Sequence, residues 1–476
     1  MKVLFINIPP CIEFQKNIKP NFTKPPIAHI WLAAILEQNN IEAYIYDAFA
    51  TEYDEEDVFR YIDEIKPDII GFTVFTIAVY DVIYLCKKIK ERFPSIYTLI
   101  GGYHTTAAVE DLIYEESIDF ACVGEGDFTI VELVCAIEKS SDLSTIKGLV
   151  YKENGAVLIN EKRLLRTDID NVPILAYKKL NRYKYKPWWT LSEWDDQVFF
   201  STVTGKGCPM DCIWCSIANT EGLKYRCMSA ERVITELTYL SKEMGATHIS
   251  FDDANLTVYR KRIFEICQGI IVNKINIKWS CASTIIHGDD EEMLQIMKKA
   301  GCEVIFFGVE TGDEDTLKKL KRTNKKQVKH VIEMCKKIGI KPHCSFILGL
   351  PEDTKQTMEE TIRFAIELDP ESASFSIATP YKGTYIYNDY ERKGWLKTKD
   401  WRRYGGSAVF ETDNYSAQYL ETLYKSAHRR FYWRPKFIIR KIQSIKSFNE
   451  LKTIAFMAKD ILLGKISYKT QGKNKK

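Results

Sequence analysis

Phe199-Phe200-Ser201-Thr202-Val203-Thr204-Gly205-Lys206-Gly207-Cys208-Pro209-Met210-Asp211-Cys212-Ile213-Trp214-Cys215 sets a short apolar strand directly against three cysteines spaced CxxxCxxC. An iron–sulfur cubane has four irons and normally takes four thiolates. This loop offers three, so a cubane held here keeps one iron open to an exchangeable ligand. Zinc is the competing reading. Zinc sites favour CxxC pairs answered by a distant second pair, and no such pair follows.

Downstream of that strand the pattern repeats. Strands are predicted near Phe199–Thr204, His248–Phe251, Lys278–Ala282, Glu303–Val309, Pro342–Leu348 and Ala373–Ala378. Helical periodicity separates them over Ala230–Lys242, Lys261–Val272, Glu291–Ala300, Lys325–Ile338 and Lys355–Glu367. Six such units describe a partial (β/α)6 barrel, in which chemistry gathers at the carboxyl ends of the strands. The cysteine loop lies at such an end.

Upstream, strands at Val3–Ile8, Ala43–Asp47, Asp68–Thr73, Tyr97–Ile100 and Phe120–Val123 alternate with helices at Ile30–Gln38, Glu55–Ile65, Val79–Arg92, Val109–Glu116 and Thr129–Glu138. That alternation specifies an α/β fold with a doubly wound parallel sheet. Ligands of such sheets bind beyond the carboxyl ends of the strands. The segments there are Pro9-Pro10, Phe72–Thr76, Gly101–Thr105 and Gly124-Glu125-Gly126, several without bulky side chains. Gly148–Lys152 and Ala156–Asn160 flank Asn154-Gly155 and read as a hairpin in a linker. The expected domains are therefore 1–145, a linker over 146–190, the barrel over 191–386 and a basic helical region over 387–476.

The 476 residues, 45% hydrophobic and 28% charged, suit a globular chain of two or three domains. No apolar run approaches a membrane span, and the first apolar stretch is too short for a signal peptide. Thirteen irregularly spaced cysteines then point to a reducing cytoplasm. Net charge is only +3, but residues 391–476 carry 21 Lys and Arg against 7 Asp and Glu. Such a tail suits a peripheral membrane surface, nucleic acid, an acidic partner or simply solvent. Arg429–Ile445 interleaves aromatic and basic residues as an amphipathic element or a helix packed on the barrel.

Together these motifs resemble the radical S-adenosylmethionine superfamily. The resemblance spans Phe199–Thr384 and rests on CxxxCxxC with Trp214 before its last cysteine, Phe251-Asp252-Asp253, Phe307–Glu310, Phe346–Pro351 and Pro380–Thr384. Residues 1–150 are similar to the cobalamin-binding domain of one subgroup, through Pro25-Pro26, Tyr46–Ala48, Gly101–His104 and Ile118–Asp127. The Asp-x-His-x-x-Gly motif that gives histidine to cobalt is absent, and Lys206 stands where the family often has Arg.

The resemblance implies a [4Fe–4S] cluster on Cys208, Cys212 and Cys215, with S-adenosylmethionine chelated to the open iron. It implies that Trp214, Phe251, Asp252, Asp253, Glu310 and Gly349 contact S-adenosylmethionine. It implies that Pro10, Thr73, Thr76, Gly101, Gly102, His104, Gly124, Glu125 and Gly126 border cobalamin. Asp252 or Asp253 would meet the methionine ammonium, although Asp also caps helices. Cys302 and Cys344 read as buried structural thiols.

The leading implied activity is methyl transfer to an unactivated carbon, using a 5′-deoxyadenosyl radical and methylcobalamin. Radical cyclisation, rearrangement or oxidation is the alternative. A tRNA methylthiotransferase would need a second cluster, and Cys11, Cys86, Cys122 and Cys135 do not group for one. The implied partners are a small-molecule, peptide or lipid substrate and a low-potential donor such as flavodoxin or ferredoxin. Nucleic acid is not the expected partner.

Overall fold

A computed structural model describes residues 1–9, 23–51, 53–185 and 197–445. Strands β1 (Lys2–Asn7), β2 (Glu42–Asp47), β3 (Ile69–Thr73), β4 (Tyr97–Gly101) and β5 (Phe120–Cys122) run parallel. The antiparallel strands β6 (Leu149–Glu153) and β7 (Ala156–Ile159) extend the same sheet. The order is β2-β1-β3-β4-β5-β6-β7. The hairpin expected in a linker is thus the sheet's antiparallel edge. Strand order reverses between β1 and β3, which opens a crevice beyond the carboxyl ends of those strands.

Helices match their sequence signals where caps are strong. Asp54 accepts from Glu56 N at the start of Glu55–Ile65, and Lys66 closes that helix in a left-handed conformation. Asn324 caps Lys325–Ile338, and Gly339 ends it at φ +85°. The helix expected over Val109–Glu116 begins earlier, as Tyr103–Ala108, followed by a 3-10 turn at Val109–Asp111. Gly102, at φ +96°, makes that early start: a Cβ there would lie 2.9 Å from Thr73.

The second sheet holds β8 (Phe199–Thr202), β11 (His248–Phe251), β12 (Lys278–Ser283), β13 (Cys302–Glu310), β14 (Lys341–Leu348) and β15 (Ser372–Ile377). All six are parallel, in the order β15-β14-β13-β12-β11-β8. An open six-stranded barrel results. Between β8 and β11 lies a two-stranded antiparallel ribbon of β9 (Gly205–Lys206) and β10 (Arg226–Cys227), with no counterpart in the sequence expectation.

The C-terminal region packs on the barrel through its aromatics. Trp401, Tyr404, Phe410 and Phe431 are all buried. Tyr390 OH donates to Gly349 O at 3.1 Å. Arg429–Ile445 is broken at Pro435 into helices Ala417–Tyr432 and Pro435–Ser444. Arg434, which precedes the second helix, and its Lys436 and Arg440 converge on Asp369. Trp433, Ile439 and Ile442 remain exposed. Among the described residues no helix is long and apolar enough to cross a membrane. The basic stretch after residue 445 lies outside them.

Candidate functional site

The strand ends of the two sheets face one another across a cavity of about 540 Å³. Thr73, Gly101, Gly102, Gly124, Glu125 and Gly126 line it from the N-terminal sheet. Val203, Gly205, Lys206, Glu221 and Asp252 line it from the barrel. Gly124 has φ +89°, and a Cβ built on it meets nothing within 4 Å. Gly126 sits where a Cβ would be 3.5 Å from both Cys122 and Leu32. These glycines leave room for a flat ligand to approach backbone. Phe5, Leu32, Phe72 and Ile100 make the floor apolar. This chemistry fits a macrocycle with polar edges.

Thr76 and His104 are turned elsewhere. His104 Nδ1 lies 3.1 Å from Thr76 Oγ1, and its ring meets Trp401 edge-on at 5.1 Å. The early helix start rotates His104 into the protein and puts Tyr103 on the cavity wall. Phe75 faces Tyr103, with ring centres 6.2 Å apart. Both fall in strand-end segments that the sequence marks, Phe72–Thr76 and Gly101–Thr105, but spacing alone does not say which side chain of a turn faces the cavity. Pro10 falls outside the described residues.

Glu125 lines the cavity, but its carboxylate is held by the barrel. Arg226 donates to it at 2.9 and 3.1 Å, and Arg166 N at 2.8 Å. Next to it Asp127 accepts from Trp31 Nε1 at 2.7 Å. Lys206 lies 3.5 Å from Asp127, 3.7 Å from Glu125 and 4.2 Å from the Trp31 ring centre. Against the cost of burial, Lys206, the Trp31 N–H and Arg166 hold the Asp127 carboxyl below the usual carboxylate range. Lys206 therefore bridges the β9–β10 ribbon and the loop that follows β5.

The cysteine loop hangs from the β9–β10 ribbon. Gly207 adopts φ +82°, and a Cβ there would be 2.9 Å from Gly222 O. Cys208 N donates to Gly222 O at 3.2 Å, and Cys215 N to Cys212 O at 2.9 Å. Glu221 accepts from Gly207 N at 2.9 Å and from the Tyr103 hydroxyl, tying the loop to the N-terminal sheet. All three thiols are half-buried. Burial pushes Cys212 up to about 11, although the Lys321 ammonium pulls the other way. A cation bound here must displace those protons. Among the described residues no three His, Cys, Asp or Glu side chains converge tightly enough for a single ion.

The two aspartates divide their roles. Asp253 is fully buried and accepts from Thr204 N at 2.6 Å, Thr204 Oγ1 at 2.8 Å and Tyr225 OH at 2.6 Å. It pins the start of the cysteine loop to the end of β11. Asp252 faces the cavity and accepts from Ser250 Oγ at 2.7 Å and Lys24 Nζ at 2.9 Å. Phe251 packs into the core against Trp279, ring centres 5.4 Å apart. Gly349, at φ +88°, packs against Leu420 and Phe410. Trp214 and Glu310 meet at Lys321, whose Nζ is 5.8 Å from the Trp214 ring centre and 3.3 Å from Glu310 Oε1.

Comparison with known proteins bears on the same residues. The Radical SAM superfamily pattern matches residues 202–365, and the B12 binding domain pattern matches residues 17–134. An uncharacterized methyltransferase of Pyrococcus horikoshii is 33% identical over 93% of this chain and 95% of its own length. The anaerobic magnesium-protoporphyrin IX monomethyl ester cyclase of Rubrivivax gelatinosus is 26% identical, over 92% of this chain and 78% of its own. The structure of OxsB, a cobalamin-dependent S-adenosylmethionine radical enzyme with aqua-cobalamin and S-adenosylmethionine bound, superposes with a TM-score of 0.72 at 15% identity. That match covers 97% of this chain and 71% of OxsB.

Proposed function

The chain belongs to the cobalamin-dependent radical S-adenosylmethionine enzymes, and from that premise we propose that it is a methyltransferase acting on an unactivated carbon of a small organic substrate. The cofactors of the family are a [4Fe–4S] cluster, S-adenosylmethionine and cobalamin. Bound together, they supply a low-potential electron, a 5′-deoxyadenosyl radical and a methyl carrier. The carrying observation is the shared cavity, lined at once by the glycine-rich ends of β4 and β5 and by Asp252 beside the cysteine strand. A radical generator and a methyl carrier must both reach one carbon, and a common space allows it.

The chain's own residues have separable tasks. Cys208, Cys212 and Cys215 hold the cluster. Asp252, whose carboxylate accepts from Lys24, would receive the methionine ammonium through a charge-assisted bond. Gly101, Gly102, Gly124 and Gly126 would leave room for a corrin ring, and Phe5, Leu32 and Phe72 would keep water from the cavity that holds it. Glu125, Asp127, Lys206 and Arg226 tie the loop after β5 to the β9–β10 ribbon that carries the cysteine loop.

Similarity to the Pyrococcus methyltransferase supports methyl transfer. Similarity to the magnesium-protoporphyrin cyclase supports a second reading, ring formation without methyl gain. The test is anaerobic incubation of the loaded enzyme, a reductant and S-adenosylmethionine deuterated in its methyl group with extract of cells lacking this protein. A product carrying the labelled methyl supports methyl transfer. A product formed without label overturns it and favours cyclisation.

A further inference from the structure

Four local irregularities meet beneath the cysteine loop. β13 shifts register against β14 between Gly308 and Glu310, and Glu310 adopts φ +71°. Leu317–Lys321 forms a π turn, and Arg322 follows at φ +53°. A π turn and a non-glycine residue in the left-handed region each cost energy and gather at functional sites. Their joint result is a buried ammonium. Lys321 is 6% exposed, with Nζ 3.3 Å from Glu310 Oε1 and 3.9 Å from Cys212 Sγ. A Cβ on Gly308 would collide with the Glu310 carboxylate, so β13 needs glycine there for the pair to form.

A buried ion pair is poor evidence for stability, because desolvation offsets the attraction. The arrangement of this one is informative instead: the cation touches a cluster cysteine. We propose that Lys321 is a positioning residue that raises the reduction potential of the cluster through an N–H···S bond to Cys212, with Glu310 orienting the ammonium and moderating its charge. The inference rests on the iron–sulfur reading of the loop. Reduction adds negative charge to a cluster. Hydrogen bonds to its sulfurs, nearby charge and burial all set how readily that happens. At 6% exposure the ammonium is poorly screened by water and salt. The opposing carboxylate has the contrary effect.

The two side chains therefore predict opposite signs, which damage to the site would not produce. The experiment uses the full chain, purified anaerobically with its cluster reconstituted, and an EPR-monitored redox titration without S-adenosylmethionine. Lys321→Met should move the midpoint to more negative potential by at least tenfold in the reduction equilibrium, about 59 mV for one electron. Lys321→Arg should recover most of that shift, and Glu310→Gln should move the midpoint to more positive potential. Midpoints that stay at the wild-type value, or that move together, overturn the proposal. So does an unmoved Lys321→Met midpoint with weakened S-adenosylmethionine binding, which would assign the lysine to the methionine carboxylate. If Lys321→Met fails to retain iron, Glu310→Gln alone decides, and an unchanged or more negative midpoint overturns the idea. A wild-type protein without a cubane overturns the iron–sulfur reading as well; a normal cubane indifferent to both substitutions overturns only this inference.

Discussion

The two sides of the cavity are built by opposite means. The N-terminal wall works by omission: glycines at 101, 102, 124 and 126 clear a surface over an apolar floor. The barrel side works by provision: Lys206, Glu221 and Asp252 line the cavity, and the tethered loop beside it carries three thiols with a charged pair beneath them. The difference teaches how each wall can fail. A surface made by omission is blocked by adding atoms, and a site made by provision is emptied by removing them.

Selective substitutions separate the walls. The largest effect is expected from Cys212→Ala, which should abolish turnover and strip iron while leaving cobalt at the wild-type level; loss of both metals would break the comparison. Glu125→Gln should affect both walls, because it leaves Arg226 buried without its carboxylate across the interface. The expected cost is about 3 kcal/mol, read as a lowered thermal midpoint with reduced content of both metals. Gly124→Leu fills open cavity space and strains a residue at φ +89°. Cobalt content should fall at least tenfold, roughly 1.4 kcal/mol in affinity, with iron unchanged.

The smallest expected effect concerns Asp47 at the end of β2. It accepts from Asn7 Nδ2 at 2.7 Å, Tyr185 OH at 2.8 Å, and the Phe49 and Ala50 amides at 3.1 Å. Burial nevertheless pushes its carboxyl up to about 6. A carboxyl raised on folding penalises the native state fully above that value. The penalty is relieved as pH falls from about 6 toward the unfolded value near 4. Asp47→Asn keeps the acceptor oxygen and removes the charge. Thermal melts should show the variant at least as stable as wild type at pH 7, with the advantage shrinking as pH falls through 6.

Much of this was legible in the sequence because it is local. Alternating strand and helix patterns gave both sheets, and Glu55–Ile65, Val79–Arg92, Ala230–Lys242 and Lys325–Ile338 fall on their expected bounds. The three thiols lie within eight residues, so spacing alone revealed them. What escaped was assembled across long separations. Tyr103 reaches Glu221, Lys206 reaches Asp127, and Arg226 reaches Glu125 only after both sheets form. The pattern Asp252-Asp253 could not say which aspartate faces the cavity, because that depends on Arg262, Tyr225 and Thr204 surrounding Asp253. His104 turned inward because Gly102 starts its helix early, a backbone choice invisible to motif reading.

The central claim is that one chain holds an iron–sulfur cluster and cobalamin facing a single cavity. Anaerobic purification with cobalamin supplied, ultraviolet–visible spectra before and after dithionite, and quantitation of iron and cobalt test it most directly. The account predicts about four irons and about one cobalt per chain, with a cluster that dithionite bleaches. Iron without cobalt in well-folded protein would contradict it.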